Sequence, residues 1–163
     1  MKNFLVALFL NEYSGYMLTR PKWPYVGENP QLRVVNSYLV VDEASFIMRK
    51  HFEALESVLR QGREFGVGVI LSSQFLDDFS ERDIDYGEML RTWFVHNVRS
   101  LVPRDLLPLG SPSVNTSIVA GIQEQGMLES FYSSLDFEGG VFIRDLPYFE
   151  LGEEAKARSG DGA

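Results

Sequence analysis

The order of apolar and polar positions along the chain predicts alternating helices and strands. Residues 4–18 carry apolar side chains at helical spacing, and residues 44–61 carry a second apolar stripe that Gly62 ends. Two short apolar runs, 37–41 and 67–72, are rich in sheet-forming residues. Because these runs contain no polar interruption, they predict strands that are covered on both faces.

The second half of the chain continues the alternation. The spacing predicts a third strand over 92–98, mostly helix over 115–134 and a last strand over 140–144. This order favours an α/β fold with a mostly parallel sheet flanked by helices. No composition shift divides the chain, so we expect one domain over residues 1–152 and a flexible tail over 153–163. Three polar or turn-rich segments, 19–31, 76–88 and 100–113, are predicted connections.

Composition and charge narrow the functional classes. The 163 residues include no cysteine and two histidines, which excludes disulfides and argues against a metal cage of Cys or His. The net charge of −8 argues against a uniformly basic nucleic-acid surface. No apolar run approaches the roughly 18–20 residues that a membrane span needs. We therefore expect an acidic, cytoplasmic protein that does not enter a membrane.

Polar side chains follow both of the predicted buried strands. The stretch YLVVDEA (38–44) ends in Asp42 and Glu43, and Gln74 follows the next strand. In open α/β sheets, ligands bind at the carboxyl ends of the strands. Four apolar residues followed by Asp-Glu form a Walker B pattern, in which the first carboxylate holds Mg²⁺ through water and the second activates the attacking water. A pair of acids that caps the following helix is the alternative interpretation.

A longer match accompanies this pattern. YLVVDEASFIM and LRQGREFGVGVILSSQFLDD, within residues 38–78, resemble the Walker B and sensor region of the HerA/FtsK superfamily of hexameric DNA-pumping ATPases. TWFVHNV (92–98) and GGVFIRDLPYF (139–149) resemble the closing strands of that fold. Within the superfamily, the chain is most similar to HerA-type ATPases of bacterial DNA defence, including those of phosphorothioation-dependent restriction systems.

The resemblance implies a RecA-like P-loop core and a role for each site residue. Asp42 would be the Mg²⁺-water ligand, Glu43 the general base and Gln74 the sensor of the γ-phosphate. Arg63, in the GREFG turn, is a candidate arginine finger, and Arg99, after the third strand, is the competing candidate. The implied cofactors of the complete ATPase are ATP and Mg²⁺, and the implied partners are DNA and the other subunits of a ring.

The phosphate-binding loop of such ATPases is absent from this sequence. A P-loop needs the motif GK[ST], and no glycine of the chain precedes Lys-Ser or Lys-Thr. We therefore expect the chain to be the part of an ATPase core from Walker B onward, without the Walker A strand and loop. Alone, it should bind no cofactor tightly and be inactive, and its open sheet should pair with other chains.

Two other functions remain open at this point. The chain could be a non-catalytic, ATPase-like scaffold or regulatory subunit that shares the fold without the activity. It could also be an unrelated α/β domain in which Asp42 and Glu43 only cap a helix.

Overall fold

A computed structural model of the protein describes residues 2–80, 84–109, 116–135 and 137–147. The chain forms two compact units, Met1–Leu90 and Arg91–Ala163. The predicted tail, 153–163, lies outside the described residues, and the single domain over 1–152 stays a prediction.

Three elements of the first unit lie where the sequence predicts them. Helix 4–18 and strands 37–41 and 67–72 agree with the structure to within two residues at each end. Strands β3 and β4 pair in parallel along their whole length. The elements are α1 (Lys2–Thr19), β1 (Tyr25–Val26), β2 (Asn29–Arg33), β3 (Ser37–Val41), α2 (Ser45–Met48), α3 (Glu53–Gln61) and β4 (Val67–Leu71).

Two predictions for this unit are wrong. The expected loop 19–31 contributes to an antiparallel hairpin of β1 and β2, with Gly27 at the turn in the left-handed region (φ 58°). The expected helix 44–61 is two helices, because His51 takes a positive φ of 50° and Phe52 is extended. Apolar positions keep the helical spacing across this break, so periodicity alone does not detect it.

The parallel pair β3–β4 is covered on one face only by the described residues. Leu39 and Val41 are buried, whereas Tyr38 and Val40 between them are 62% and 64% exposed. Ile70, opposite Val40 on β4, is 51% exposed. The prediction of strands covered on both faces is therefore wrong for this part of the chain. An apolar sheet face of this kind is normally buried in parallel sheets.

Helices α1 and α3 form the core of the first unit. Leu10 and Met17 of α1 are buried, as are Leu55 and Val58 of α3. The apolar positions of α3 recur at intervals of three to four residues, which places them on one side of the helix. No helix among the described residues combines the length and the apolar character needed to cross a bilayer.

The second unit is built on an antiparallel sheet. The predicted helix 115–134 is wrong in its second half, because residues from Glu129 onward form a strand that pairs on both sides. Among the described strands only β3 and β4 pair in parallel, so the parallel part of the fold is shorter than expected. A tight connection between β6 and β7 permits only antiparallel pairing. The elements are β5 (Thr92–Val95), α4 (Thr116–Glu124), β6 (Glu129–Ser134) and β7 (Phe137–Arg144).

Two glycine substitutions should change stability in opposite directions. A Cβ at Gly140 would lie 1.8 Å from Cζ of Phe131, which is 1% exposed, so the ring would have to shift within the core. We expect Gly140→Ala to lower the free energy of unfolding by about 1–3 kcal/mol. Gly15, in α1, has open space around it, so Gly15→Ala should raise that free energy by about 0.5–1 kcal/mol. Urea unfolding of both variants measures the difference, and equal effects would contradict the packing described.

Candidate functional site

The ends of β3 and β4 lie at the same edge of the parallel sheet. Val41 is opposite Leu71 in the register, so Asp42 and Ser72 are the first residues beyond the two strands. Two backbone hydrogen bonds continue the pairing past the strand ends. The Ser72 N–H donates to the Val41 carbonyl (3.0 Å), and the Ala44 N–H donates to the Ser72 carbonyl (2.7 Å). The carboxyl ends of the two strands therefore form one continuous, hydrogen-bonded rim.

The Asp42 carboxylate is held in position by two donors. The Ser72 hydroxyl donates to Oδ1, and the backbone N–H of Glu43 donates to the same oxygen at 3.0 Å. Neither contact involves Oδ2, which has no hydrogen-bond partner among the described residues. Ser72 is not among the site residues predicted from the sequence. Its position directly after an apolar strand was the available signal, but many strands end in serine.

The helix-capping alternative for the two acids is wrong. Helix α2 begins at Ser45, its N-cap residue is Ala44, and no side chain accepts a hydrogen bond from its first turn. The Asp42 carboxylate instead accepts from Glu43 and from Ser72 of the neighbouring strand. Its contacts thus join two strands rather than stabilise a helix end.

Glu43 has a strained backbone and an unengaged side chain. Its φ is 51°, in the left-handed region that non-glycine residues seldom adopt. Such a conformation costs on the order of 1–3 kcal/mol and is found most often at functional sites. The residue is exposed, and no hydrogen bond or ion pair holds its carboxylate within the part of the chain that the structure describes. The carboxylate is therefore available to a ligand or to water.

A buried clamp lies beside Gln74. Asp78 is only 4% exposed and accepts two side-chain contacts, from the Arg49 guanidinium (2.5 Å) and from the Ser73 hydroxyl (2.5 Å). This clamp ties the residue before Gln74 to the residue that follows α2. Gln74 itself is exposed, and its side chain makes no hydrogen bond among the described residues. Sequence reasoning missed Asp78, because nothing in LDDF distinguishes it from the exposed Asp77.

The two candidate arginines belong to different units. Arg63 belongs to a 3₁₀ helix, Gly62–Phe65, that precedes β4. A five-residue strand is about 17 Å long, so Arg63 is at the opposite end of β4 from Ser72. Arg99 belongs to the second unit, in a turn after β5, and its carbonyl accepts a hydrogen bond from Gln123. The Arg63 side chain therefore does not reach Asp42 of its own chain.

Arg63 also contributes to a local charge cluster. The Lys22 ammonium is hydrogen-bonded to Glu64 and lowers the pKa of that carboxyl, and Arg33 and Arg63 lower it further by their charge. The cluster belongs to the amino-terminal side of β4, away from the rim that holds Asp42.

Asp42 offers a metal ion one free carboxylate oxygen, Oδ2. No group of three or more His, Cys, Asp or Glu side chains that could hold a metal is found in the described ranges. Mg²⁺ keeps most of its waters and is commonly held by one or two carboxylates together with substrate phosphates. The open Oδ2 of Asp42 fits such a hydrated ion.

The chain is similar in fold to a solved structure. No protein-family model matches the chain, and no curated protein matches it. A solved structure of the bacterial conjugative coupling protein TrwBdeltaN70, in an unbound monoclinic form, does match. The TM-score is 0.57 at 17% identity, over 85% of this chain and 36% of that protein.

The likeness confirms the predicted fold class. The chain has a mixed α/β fold with a short parallel sheet, and it resembles the RecA-like P-loop ATPase fold of TrwB. At this identity the likeness shows the fold alone. The chain spans about a third of the length of that coupling protein.

Removing the buried clamp should destabilise the chain more than removing its neighbour. Asp78→Ala leaves Arg49 and Ser73 without their shared acceptor, and we expect a loss of about 1–3 kcal/mol in the free energy of unfolding. Asp77→Ala removes the same charge from an exposed position and should change it by less than about 0.5 kcal/mol. Denaturant unfolding of both variants tests this, and matched losses would contradict a structural role for Asp78.

Proposed function

We propose that this chain is the Walker B and sensor part of a HerA/FtsK-like, DNA-translocating ATPase. The observation that carries the proposal is the rim at Asp42. A carboxylate there is fixed by Ser72 at the shared end of two parallel strands, next to the strained and unengaged Glu43. The likeness to the fold of TrwB and the sequence resemblance over residues 38–78 support this proposal.

Each residue of the rim would have a separate task. Asp42 would bind a water of hydrated Mg²⁺ through Oδ2, while Ser72 and the Glu43 N–H keep the carboxylate in place. When bound, the Mg²⁺ would neutralise charge on the ATP phosphates. Glu43 would take a proton from the attacking water. Gln74 would hydrogen-bond the γ-phosphate or that water, on a segment that the Asp78 clamp holds.

An arginine finger would come from a neighbouring subunit. Arg63 lies at the far end of β4, so it is suited to act on another copy's site in a ring rather than on its own. Arg99 stays the competing candidate, because no observation favours or excludes it as the arginine finger. Within the superfamily, the sequence favours a HerA-type ATPase of a DNA-defence system, acting on DNA in the cytoplasm.

The phosphate cradle would come from polypeptide that this sequence does not contain. The exposed face of Tyr38, Val40 and Ile70 is apolar, and β4 pairs only with β3 among the described strands. A strand that leads into GK[ST] could pair with the open edge of β4, and polypeptide flanking that strand could cover the exposed face. A scaffold or regulatory subunit that shares the fold without the activity is the second candidate function.

Hydrolysis should depend on Glu43 only when the Walker A segment is present. We expect no Mg²⁺-dependent ATP hydrolysis by the 163-residue chain alone. A complete ATPase that joins this chain to a Walker A segment should hydrolyse ATP with stimulation by DNA. Glu43→Gln should lower its turnover by about 10²–10⁴, whereas Glu53→Gln, an exposed position in α3, should not change it.

Three outcomes would separate the alternatives. Turnover by the chain alone that Glu43→Gln abolishes would contradict the need for a second segment. Equal turnover of Glu43→Gln and the unchanged ATPase would contradict the role of Glu43. A folded complete protein that neither binds nor hydrolyses ATP would favour the scaffold.

The open sheet should make the isolated chain associate. Val40 and Ile70 are directly opposite each other on the exposed face, so burying them should drive oligomer formation. We expect light scattering to detect oligomers of the chain and Val40→Lys to shift them toward monomer. Met127→Lys, at a residue that is 94% exposed in the second unit, should leave them unchanged. A sharp monomer peak for the unchanged chain would contradict this expectation.

A further inference from the structure

One surface of the first unit is basic in an otherwise acidic chain. The sequence has 15 Lys and Arg residues against 23 Asp and Glu residues. At the amino-terminal side of β4, the segment after α1, the β1–β2 hairpin and the 3₁₀ helix before β4 reverse this balance. We call this region the basic surface. Its charged residues are the cations Arg20, Lys22, Arg33 and Arg63 and the carboxylates Glu28 and Glu64.

Direct contacts bring these three segments together. The Lys22 ammonium lies 2.5 Å from the Glu64 carboxylate, and the Trp23 N–H donates to the Glu64 carbonyl at 2.7 Å. The Arg33 guanidinium donates to the carbonyl of Trp23. Lys22 first, and then the charges of Arg33 and Arg63, lower the pKa of the Glu64 carboxyl. Several cations thus lie near a single carboxylate, which leaves an excess of positive charge.

Exposed tyrosine rings accompany two of these cations. Arg33 is the cross-strand partner of Tyr25, and its Cζ lies 4.0 Å from the centroid of the tyrosine ring. Arg20 lies over the ring of Tyr16 in the same way, at 5.4 Å. Tyr25 and Tyr16 are nevertheless 49% and 59% exposed. Because a guanidinium covers one face of a ring, each tyrosine keeps an accessible aromatic surface on which a flat group can stack.

The combination of cations and open rings defines the ligand. Proteins that bind unpaired nucleic-acid strands pair a positive surface for the phosphates with aromatic side chains on which the bases stack. A duplex presents the same phosphates, but its bases are stacked on each other and their faces are hidden. An acidic peptide presents negative charge without a regular series of flat rings. The basic surface therefore fits an unpaired strand best.

We propose that the basic surface binds an unpaired nucleic-acid strand, with Arg20, Lys22 and Arg33 contacting phosphates and Tyr25 stacking on a base. The proposal adds a strand-binding surface to the proposed ATPase, at the end of β4 opposite the rim of Asp42. It rests on the proposed function for the link to DNA translocation, but the binding itself needs neither ATP nor a Walker A segment. Single strands of DNA and RNA both present this chemistry.

Salt dependence tests the phosphate contacts. Fluorescence anisotropy of a labelled oligothymidine with the 163-residue chain, between about 50 and 200 mM salt, should give a slope of log K against log salt of about −2 to −3 for three or four contacts. Arg20→Ala and Arg33→Ala should each weaken binding and reduce the slope by about 0.7. Arg104→Ala removes the same charge from a side chain in the second unit that is 85% exposed, and it should change neither quantity.

Variants of Tyr25 test the stacking contact. Tyr25→Leu keeps an apolar side chain and removes the aromatic face, so affinity for oligothymidine should fall about five- to tenfold. The same variant should not change affinity for an abasic strand of equal length, which carries the phosphates without bases. Tyr25→Phe keeps the ring and should bind both strands as the unchanged chain does.

Two of these variants keep the test valid if others unfold. Arg33 contacts Trp23, so Arg33→Ala could lose the hairpin, whereas Arg33→Lys keeps the charge and should keep the salt slope. The side-chain contacts of Arg20 that the structure shows are with exposed Tyr16 only, so Arg20→Ala should fold normally. Circular dichroism of each variant checks the fold. Arg63 is left unchanged because it is also a candidate arginine finger.

The remaining outcomes identify the strand and can overturn the proposal. Tighter binding of oligouridine identifies RNA, and equal or tighter binding of oligothymidine identifies DNA. Glu43→Gln should bind the strand normally, so loss of the ATPase proposal would leave this one intact. Three results would each overturn it: no binding of either strand at 50 mM salt, affinity unchanged in both Arg20→Ala and Tyr25→Leu, or tighter binding of a duplex or of polyglutamate than of the single strand.

Discussion

The hydrogen bond from Ser72 to Asp42 is the contact on which the rim of the parallel sheet depends. It joins residues thirty positions apart, and it exists only because β3 and β4 run parallel in the register that places Val41 opposite Leu71. A slip of one residue would turn the apolar side chains to the other face and separate the two polar groups. The strand register therefore determines the position of the Asp42 carboxylate. Helix α3 contacts β4 and so helps to hold the pair in this register.

The same strands show what the sequence could predict. Local sequence properties were enough to predict β3 and β4, because each is a short run of sheet-forming residues. They were also enough to place Asp42 at the end of a strand. Contacts between residues that are distant in sequence could not be predicted in this way. Ser72 and Asp78 acquire their roles from contacts across about thirty residues, and neither differs locally from an ordinary surface residue. The break at His51 escaped detection for another reason, since a single positive φ interrupts a helix without disturbing its apolar spacing.

A strained backbone and exposed apolar side chains occur together near the carboxyl ends of β3 and β4. Glu43 keeps a left-handed backbone although its own side chain gains no contact within the described residues, so the surrounding hydrogen bonds must offset that cost. Both neighbours of Glu43 supply them: Asp42 accepts from its N–H, and Ala44 donates to Ser72. The apolar face of Val40 and Ile70 is likewise unfavourable in water. Both features are costly for an isolated domain and reasonable for one that completes its sheet and its site with further polypeptide.

Two buried polar side chains differ in how far the chain itself provides their hydrogen bonds. Asp78 and Gln125 are 4% and 7% exposed, so each loses nearly all contact with water on folding. Asp78 recovers that loss within the chain, through Arg49 and Ser73, and its role is complete without any other molecule. Gln125 recovers nothing through its amide within the described part of the chain. Replacing a satisfied group by an apolar one removes stabilising contacts, whereas replacing an unsatisfied group removes a penalty. The sign of the stability change on substitution thus distinguishes a buried polar group that stabilises the fold from one that destabilises it.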